Sequence, residues 1–230
     1  EQCALSKAGF LFTQKKKGII PEFLEYYYNQ RVVIKKELFK AKTKLKKLKK
    51  DTPEYIEAKY EVERLNTSQM VIKILINSCY GYMGNKNAPI GDDDIASSVT
   101  LTGQAVIKYS NELIKEFIKK EIPDISDREL EGCIVYNDTD SSYVSITPLV
   151  NKGLNFLDGN DVHQDTHDKI QEIEDYLNNG VQEWAKKSLL SKDSRFVFKR
   201  ECIADVGVFL QKKRYVMHIL DDEGIKENKF

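Results

Sequence analysis

The sequence lacks the features of several protein classes. It contains no apolar run near the roughly 20 residues of a membrane-spanning helix, so we expect no membrane partner. The first residues, Glu1-Gln2-Cys3-Ala4-Leu5-Ser6, have neither a basic region nor an apolar stretch, and we expect no signal peptide. The four cysteines are far apart and form no CxxC pair, which favours reduced thiols and a cytoplasmic protein.

The net charge of the sequence is zero, but its charged residues are unevenly distributed. The 36 basic side chains balance 36 acidic ones, so the total does not indicate a nucleic-acid-binding protein. Nine lysines between Lys35 and Lys50 nevertheless make the N-terminal part basic, whereas acidic residues dominate from Asp158 to Asp175. With 230 residues, 41% of them hydrophobic, the chain can form one large globular domain or two small ones.

The most informative stretch is an acidic turn between two apolar runs. Gly132–Tyr136 and Ser142–Ile146 are rich in β-branched and aromatic residues, which predicts a β-hairpin with Asp138 and Asp140 at its tip. In extended chain these carboxylates would share one side, roughly 7 Å apart at Cα. Mg²⁺ binds such carboxylates together with waters and phosphates, which favours a metal site for phosphate chemistry. An ordinary solvated turn that binds nothing is the alternative.

Two long helices are predicted upstream of this hairpin. Helical periodicity runs from Glu22 to Lys50, with Pro21 at the first helical position, and resumes after Thr52-Pro53, which are a helix cap and a first-turn proline. The helices carry apolar seams, so we expect them to pair as an antiparallel hairpin that projects from a body. The predicted seam residues are Ile34, Leu38, Ala41, Leu45 and Leu48 in the first helix, and Tyr55, Ala58, Val62, Leu65, Gln69, Ile72 and Ile76 in the second.

Polar residues on these helices form two spaced sets. Arg31 and Lys35 are four residues apart in the first helix, and Lys73, Asn77 and Tyr80 follow spacings of four and three in the second. An antiparallel hairpin would bring the sets together near its base, where the cations suit a triphosphate. The alternative is a solvated helix face, which is also the interpretation that we favour for the lysines from Lys42 to Lys50.

The remaining chain is predicted to alternate between helices and strands. Gly91-Asp92-Asp93-Asp94 is expected to cap a helix rather than bind metal. Predicted helices cover Ile95–Lys120, with Val99, Val106, Leu113 and Phe117 buried, and Asp165–Leu190. Predicted strands cover Arg195–Arg200, Val206–Gln211 and Tyr215–Leu220. His163 and His167 lie four apart, but no third ligand at a telling spacing supports zinc.

A short basic run lies between the last two predicted strands. Lys212-Lys213-Arg214-Tyr215 combines three cations with an aromatic ring, a composition that can hold a nucleic-acid backbone. A solvated hairpin turn explains the same residues equally well. Glu201 lies in a strand-like segment upstream, where its side chain faces either a site or solvent.

Together these motifs resemble family B DNA polymerases, and most of all the replicative polymerases of T-even-like bacteriophages. Residues Lys73–Gly81 resemble the fingers pattern Kx3NSxYG, and Tyr136–Ser141 resemble the palm pattern YxDTDS. Lys212–Tyr215 match KKRY, and Arg31 with Lys35 resemble an earlier fingers helix. The four motifs stand in the family's order. Asn137 and Cys79 depart from the residues frequent at their positions, but neither change removes a reacting group.

The resemblance implies a role for each matched residue. Asp138 and Asp140 would be catalytic ligands of two Mg²⁺ ions, with Glu201 in their second shell. Arg31, Lys35, Lys73 and Asn77 would bind the dNTP. Tyr80 and Gly81 would lie at the nascent base pair near the template, and Lys212, Lys213, Arg214 and Tyr215 would hold the primer of a primer–template DNA.

The resemblance also implies an α+β fold divided into three parts. An antiparallel palm sheet flanked by helices would carry the projecting antiparallel two-helix fingers arm. Residues 1–20 would join palm to fingers, residues 21–84 would form the fingers, and residues 85–230 would form the C-terminal part of the palm. A phage-encoded protein of this kind would work in the host cytoplasm.

One family motif has no counterpart in the sequence. The pattern DxxSLYPS, which supplies the second metal-binding Asp, is absent, and neither an exonuclease region nor a thumb is recognised. We therefore expect an incomplete palm–fingers fragment that is inactive alone. Either a second polypeptide from a split gene completes it, or the missing parts were lost by truncation.

Two other functions remain open. A reverse transcriptase usually has YxDD at this hairpin, from which Asp138-Thr139-Asp140 departs. A non-catalytic nucleic-acid-binding or scaffold remnant of a polymerase, in which the lysine-rich arm matters, is the alternative of a different class.

Overall fold

The computed structural model describes residues 3–229, which divide into two compact units. One unit, called here the helical unit, comprises Thr13–Ser97. The other, called here the mixed unit, combines residues 3–12 with residues 98–229. Residues 3–12 therefore group with the C-terminal part of the chain. The predicted division into residues 1–20, 21–84 and 85–230 stays a prediction.

Helices and short antiparallel strands alternate along the described chain. The helices are α1 (Ile19–Lys46), α2 (Pro53–Met83), α3 (Asp93–Glu121), α4 (Asp127–Gly132), α5 (Thr147–Asn151) and α6 (Gln164–Ser188). The strands are β1 (Cys3–Leu5), β2 (Leu11–Thr13), β3 (Ile134–Asp138), β4 (Ser141–Val144), β5 (Leu157–Asp158), β6 (Asp161–Val162), β7 (Cys202–Gln211), β8 (Arg214–Asp222) and β9 (Ile225–Lys229). This mixture confirms the predicted α+β fold class.

The helical unit is built on the predicted antiparallel pair α1–α2. The helices pack along the apolar seam, where Leu38, Ala58 and Leu65 are buried. The Thr52 hydroxyl accepts a hydrogen bond from the Tyr55 N–H at 3.2 Å and caps α2, with Pro53 in its first turn. Helix α1 begins at Ile19, so the predicted start at Pro21 is wrong by two residues. Proline has no N–H, and the first turn leaves its N–H groups without intrahelical partners, so Pro21 is tolerated as the third helical residue.

Helix α3 begins with the capping that its acidic approach predicted. The Asp92 carboxylate accepts hydrogen bonds from the N–H groups of Asp94 and Ile95, at 2.8 and 3.2 Å. These bonds satisfy donors that the first helical turn leaves without intrahelical partners. The acidic run therefore has a structural explanation that needs no metal.

The core of the mixed unit lies between α3 and α6. Leu113 and Ile118 of α3 and Leu177 and Val181 of α6 belong to one buried apolar cluster. The helices approach so closely at Gly180 that an added Cβ would stand 2.6 Å from Leu113 Cδ1. The buried stripe predicted for α3 is confirmed from Val106 onward, but Val99 is wrong, because it is 50% exposed.

The predicted strand Arg195–Arg200 is wrong, because side chains of α6 bond this segment's backbone instead of a neighbouring strand. Asn178 exchanges two hydrogen bonds with the backbone of Phe198, at 2.8 and 3.0 Å. Gln182 donates to the Phe196 carbonyl, and Glu174 accepts from the Arg200 N–H. These three α6 side chains are four residues apart, so one helical face satisfies the segment.

The strands of the mixed unit form small antiparallel ladders rather than one continuous sheet. Strands β3 and β4 pair as the predicted acidic hairpin. Strand β8 lies between β7 and β9 in a three-stranded sheet, and bulges interrupt the β7–β8 register at three places. Helix α4 and strand β9 were not predicted, although the capping box of Ser126 and Glu129 marks the start of α4.

Within residues 3–229, no helix is both long enough and apolar enough to cross a membrane.

Candidate active site

The tip of the β3–β4 hairpin is a tight turn centred on Thr139. The Asp140 N–H donates to the Asp138 carbonyl at 2.6 Å, and the Ser141 hydroxyl donates to the same oxygen at 3.1 Å. Asp140 therefore belongs to the turn and not to a strand. The expectation that both carboxylates share one side of an extended strand is wrong, because the left-handed backbone of Thr139 reverses the chain between them.

Thr139 holds an uncommon backbone conformation for a β-branched residue. Its φ of 52° lies in the left-handed region, where the Cβ crowds the backbone. Such a conformation costs on the order of 1–3 kcal/mol, and residues of this kind cluster at functional sites. The Thr139 hydroxyl donates to Asp138 Oδ1 at 3.1 Å, so the same residue closes the turn and holds a carboxylate.

The two carboxylates differ in exposure. The Asp138 side chain is 23% exposed, whereas Asp140 lies open to solvent at the tip. Both supply hard oxygen donors, the type that Mg²⁺ prefers, and both leave room for waters or phosphate oxygens. The donor set fits a magnesium ion but is small, since no group of three or more His, Cys, Asp or Glu side chains gathers in the described residues.

Four aromatic rings join this hairpin to the β7–β8 ribbon. Tyr136 and Tyr143 of the hairpin contact Phe209 and Tyr215 of the ribbon, with ring centroids 5.2–5.8 Å apart. The hydroxyls of Tyr143 and Tyr215 are hydrogen-bonded at 2.6 Å. Burial raises the pKa of Tyr143, and the bond to Tyr215 adds to the effect. This aromatic cluster fixes the two hairpins face to face.

The aromatic contact between the two hairpins places the basic turn, Lys212–Lys213, beside the acidic turn of the β3–β4 hairpin. Lys212 and Lys213 form the two-residue connection between Gln211 and Arg214. The Lys213 N–H donates to the Tyr136 hydroxyl at 2.9 Å, and Lys213 Nζ lies 3.8 Å from Asp138 Oδ1. The lysine side chain is 66% exposed, so solvent screens this pair and it adds little stability. Its effect is to place a cation beside the carboxylates.

Glu201 lies at the start of the β7–β8 ribbon. It is exposed and precedes β7, and its carbonyl accepts a hydrogen bond from the Glu223 N–H at 2.6 Å. Within residues 3–229 it forms no three-residue ligand cluster with Asp138 and Asp140. The second-shell role that the resemblance implies for Glu201 stays a prediction.

The predicted nucleotide-binding set lies in the helical unit. Arg31 Nε donates to Gln69 Oε1 at 3.3 Å, which sets the register of α1 against α2. Lys73 is one helical turn beyond Gln69, about 6 Å along α2, whereas Lys35 lies one turn from Arg31 in the opposite direction. Lys73, Asn77, Tyr80 and Gly81 are exposed on α2. These residues are therefore distributed along the α1–α2 hairpin and are not clustered at its base.

Sequence reasoning missed two features of these surfaces. The aromatic cluster was visible as Tyr136 and Tyr143 in one predicted hairpin and Phe209 and Tyr215 in the other, but nothing in the sequence paired the two. The buried amide of Gln69 was counted as a seam residue. It accepts from Arg31 and donates to Asn66, so Arg31 also stabilises the helix pair.

Comparison with known proteins decides the family. The model of DNA polymerase family B matches residues 2–152, which include both the helical motifs and the acidic hairpin. The chain belongs to DNA polymerase family B. The basic turn lies beyond that match, so its assignment to the family's KKRY motif stays a prediction.

Several family B polymerases are similar to this chain. The DNA-directed DNA polymerase of Enterobacteria phage T4 is 27% identical over 97% of the chain, which matches 30% of that protein. The enzyme of Escherichia phage RB69 is 29% identical over 70% of the chain and 18% of that protein. The DNA polymerase delta catalytic subunit of Glycine max is 29% identical over 59% of the chain and 11% of that protein.

A family B DNA polymerase from Pyrobaculum calidifontis is a structural relative, with 21% identity and a TM-score of 0.48 over 96% of this chain and 21% of that one. The chain spans less than a third of the length of each of these relatives.

Proposed function

We propose that this chain supplies the fingers helices and the carboxylate hairpin of a DNA-directed DNA polymerase. In this reaction the primer 3′ oxygen attacks the α-phosphorus of a dNTP, and pyrophosphate leaves. One observation carries the proposal: the acidic and basic turns, whose sequences resemble two separate motifs of the family, lie side by side, with Lys213 Nζ 3.8 Å from Asp138 Oδ1. Carboxylates beside cations suit a DNA end that must meet metal and protein together.

In the mixed unit, Asp138 and Asp140 would hold Mg²⁺ at the hairpin tip. When bound, this metal activates the attacking oxygen and stabilises the charge that develops on the phosphate. Lys212, Lys213, Arg214 and Tyr215 would hold the primer backbone. The Tyr136 hydroxyl, bonded to the Lys213 N–H, would keep the basic turn next to the carboxylates.

In the helical unit, Arg31, Lys35 and Lys73 would bind the triphosphate, and Asn77 would assist them. Arginine and lysine are the usual phosphate partners, and the exposed positions of Lys73 and Asn77 on α2 leave them accessible to a nucleotide. Tyr80 and Gly81 would contact the nascent base pair. The Arg31–Gln69 bond would hold the guanidinium in position for the nucleotide.

The proposed catalytic centre needs a carboxylate from outside these residues. No DxxSLYPS motif occurs in the 230 residues, and the structure gathers no third carboxylate at the hairpin within residues 3–229. We propose that polypeptide carrying this motif supplies the missing Asp, so that the metal cage forms only when that polypeptide is present. The isolated chain is expected to bind DNA and nucleotide without extending a primer.

Reconstitution tests this proposal. The purified chain, a polypeptide that carries DxxSLYPS and a thumb, and their mixture are each supplied with Mg²⁺, dNTPs and primed template. We expect extension by the mixture only. Extension by this chain alone would contradict the need for a partner, and a mixture that forms a complex but never extends primer would contradict the polymerase function.

A non-catalytic DNA-binding remnant is the second candidate, and the lysine-rich face of α1 favours it. This function predicts a mixture without extension but with salt-dependent DNA binding by the chain.

A further inference from the structure

Helix α1 presents a basic face that the proposed active site does not use. Lys36, Lys40, Lys44 and Lys47 follow spacings of four, four and three, and all four are exposed. Their face is turned away from the seam residue Leu38, which is buried against α2. The row extends about 16 Å along the helix and into its C-cap.

This face costs the helix stability. Like charges four residues apart repel, as they do for Lys36 with Lys40 and for Lys40 with Lys44. The helix dipole explains lysines in the last turn, such as Lys44 and Lys46, but not those farther upstream. A binding role explains the whole row.

Nearby acidic residues are engaged with other partners. Glu61 holds Arg64 through two hydrogen bonds of 2.7 Å, and Glu63 lies 3.9 Å from Lys59. The bond to Glu61 raises the pKa of Arg64, and Glu37 adds to this effect. Glu37 is the one acid between Lys35 and Lys50. Its charge therefore acts on α2 as well as on the lysines around it.

An aromatic ring lies at the edge of the basic face. Phe39 is three residues after Lys36, so the two side chains are neighbours on the helix surface, and Phe39 is 41% exposed. Surfaces that bind single-stranded nucleic acid combine cations for the backbone with aromatic rings on which unpaired bases stack. The lysines alone favour a solvated face, but an exposed phenylalanine among them does not improve solvation.

We propose that Phe39 with Lys36, Lys40, Lys44 and Lys47 binds single-stranded DNA without sequence preference. The choice of DNA as the polyanion rests on the proposed function. A duplex shields its bases from Phe39, so single strands are expected to bind more tightly. This surface would hold unpaired strand near the end of the helical hairpin.

Binding of a labelled oligothymidylate to the full chain, measured by fluorescence anisotropy across a salt series, tests the proposal. One variant replaces Lys36, Lys40, Lys44 and Lys47 by Gln. The matched control replaces four exposed lysines of α3 and α6, namely Lys108, Lys120, Lys186 and Lys187, so that both variants lose equal charge. We expect the first variant to bind about tenfold or more weakly and to lose about 3 from the salt slope. The control should change less than twofold.

Changes at Phe39 separate stacking from charge. Phe39→Leu keeps apolar bulk but removes the ring, and should weaken single-strand binding by about fivefold or more, whereas Phe39→Tyr should keep it. Equal losses in the two lysine variants, equal affinity for duplex, or no binding by the wild-type chain would overturn the proposal. The titration contains neither nucleotide nor metal, so a failure of primer extension leaves its result standing.

Discussion

The close approach of α3 and α6 gives the sharpest stability prediction. Gly180 lies in the middle of α6, where alanine is favoured over glycine by about 1 kcal/mol. An added Cβ would, however, stand 2.6 and 2.9 Å from the terminal carbons of Leu113, which is itself buried. Overpacking of this kind costs about 1–3 kcal/mol. Gly180→Ala should therefore destabilise the mixed unit by about 1 kcal/mol.

Gly103 provides the matched control. It lies inside α3, and a Cβ added there meets nothing within 4 Å. Gly103→Ala should therefore show only the gain in helix propensity and stabilise the unit by about 1 kcal/mol. The two glycine-to-alanine changes should differ by about 2 kcal/mol, although they are identical in chemistry.

Urea unfolding followed by tryptophan fluorescence measures both effects. Trp184 is the single tryptophan, and its ring stacks on Tyr109 with centroids 5.5 Å apart, so it reports on contact between α6 and α3. Shortening Leu113 to Val in the Gly180→Ala background should recover part of the loss, as a double-mutant cycle would show. If Gly180→Ala stabilises the protein as much as Gly103→Ala does, the reasoning from helix spacing is refuted.

Three further predictions concern single groups. Hydrogen bonds to Asn228 and Asp205 raise the pKa of His218. Its contribution to stability should therefore be full below its unfolded pKa, near 6.5, and should be lost as the pH rises through the folded pKa. Unfolding of His218→Gln and wild type across this pH range checks this, and an equal dependence of unfolding free energy on pH in both would contradict it. Thr52→Ala should cost α2 about 1 kcal/mol in circular-dichroism melts, since it removes the cap. Burial raises the pKa of Cys133, so iodoacetamide should modify it only after unfolding. Mass spectrometry of native protein treated with the reagent should therefore find Cys133 unmodified.

Local sequence patterns predicted those helices and hairpins whose formation depends on neighbouring residues. The apolar seams, the Thr52 cap and the alternating apolar runs around the acidic turn depend on nearest neighbours, and the helices and hairpins they predicted are present. The segment Arg195–Arg200 failed because its hydrogen-bond partners are side chains of α6, which its own composition does not reveal.

The sequence indicated candidate residues for the site but not how the fold brings them together. Motif spacing indicated Asp138, Asp140 and the basic turn as candidates, because carboxylates and cations in such turns suit phosphate chemistry. The left-handed Thr139, the aromatic contacts between two hairpins some 70 residues apart, and the bond of Arg31 to Gln69 are tertiary features. Each depends on the packing of distant segments, which periodicity cannot encode.

The central claim is that the acidic hairpin is the metal-binding element. Primer extension by the reconstituted complex tests it most directly. Asp140→Ala should lower the extension rate about a thousandfold or more, since loss of a metal ligand removes several kcal/mol of transition-state stabilisation. Asp158→Ala, at the exposed turn of the β5–β6 hairpin, is the matched control and should extend primers normally. Chelation of Mg²⁺ should abolish both activities. Undiminished extension by Asp140→Ala would contradict the assignment of this hairpin as the metal-binding element.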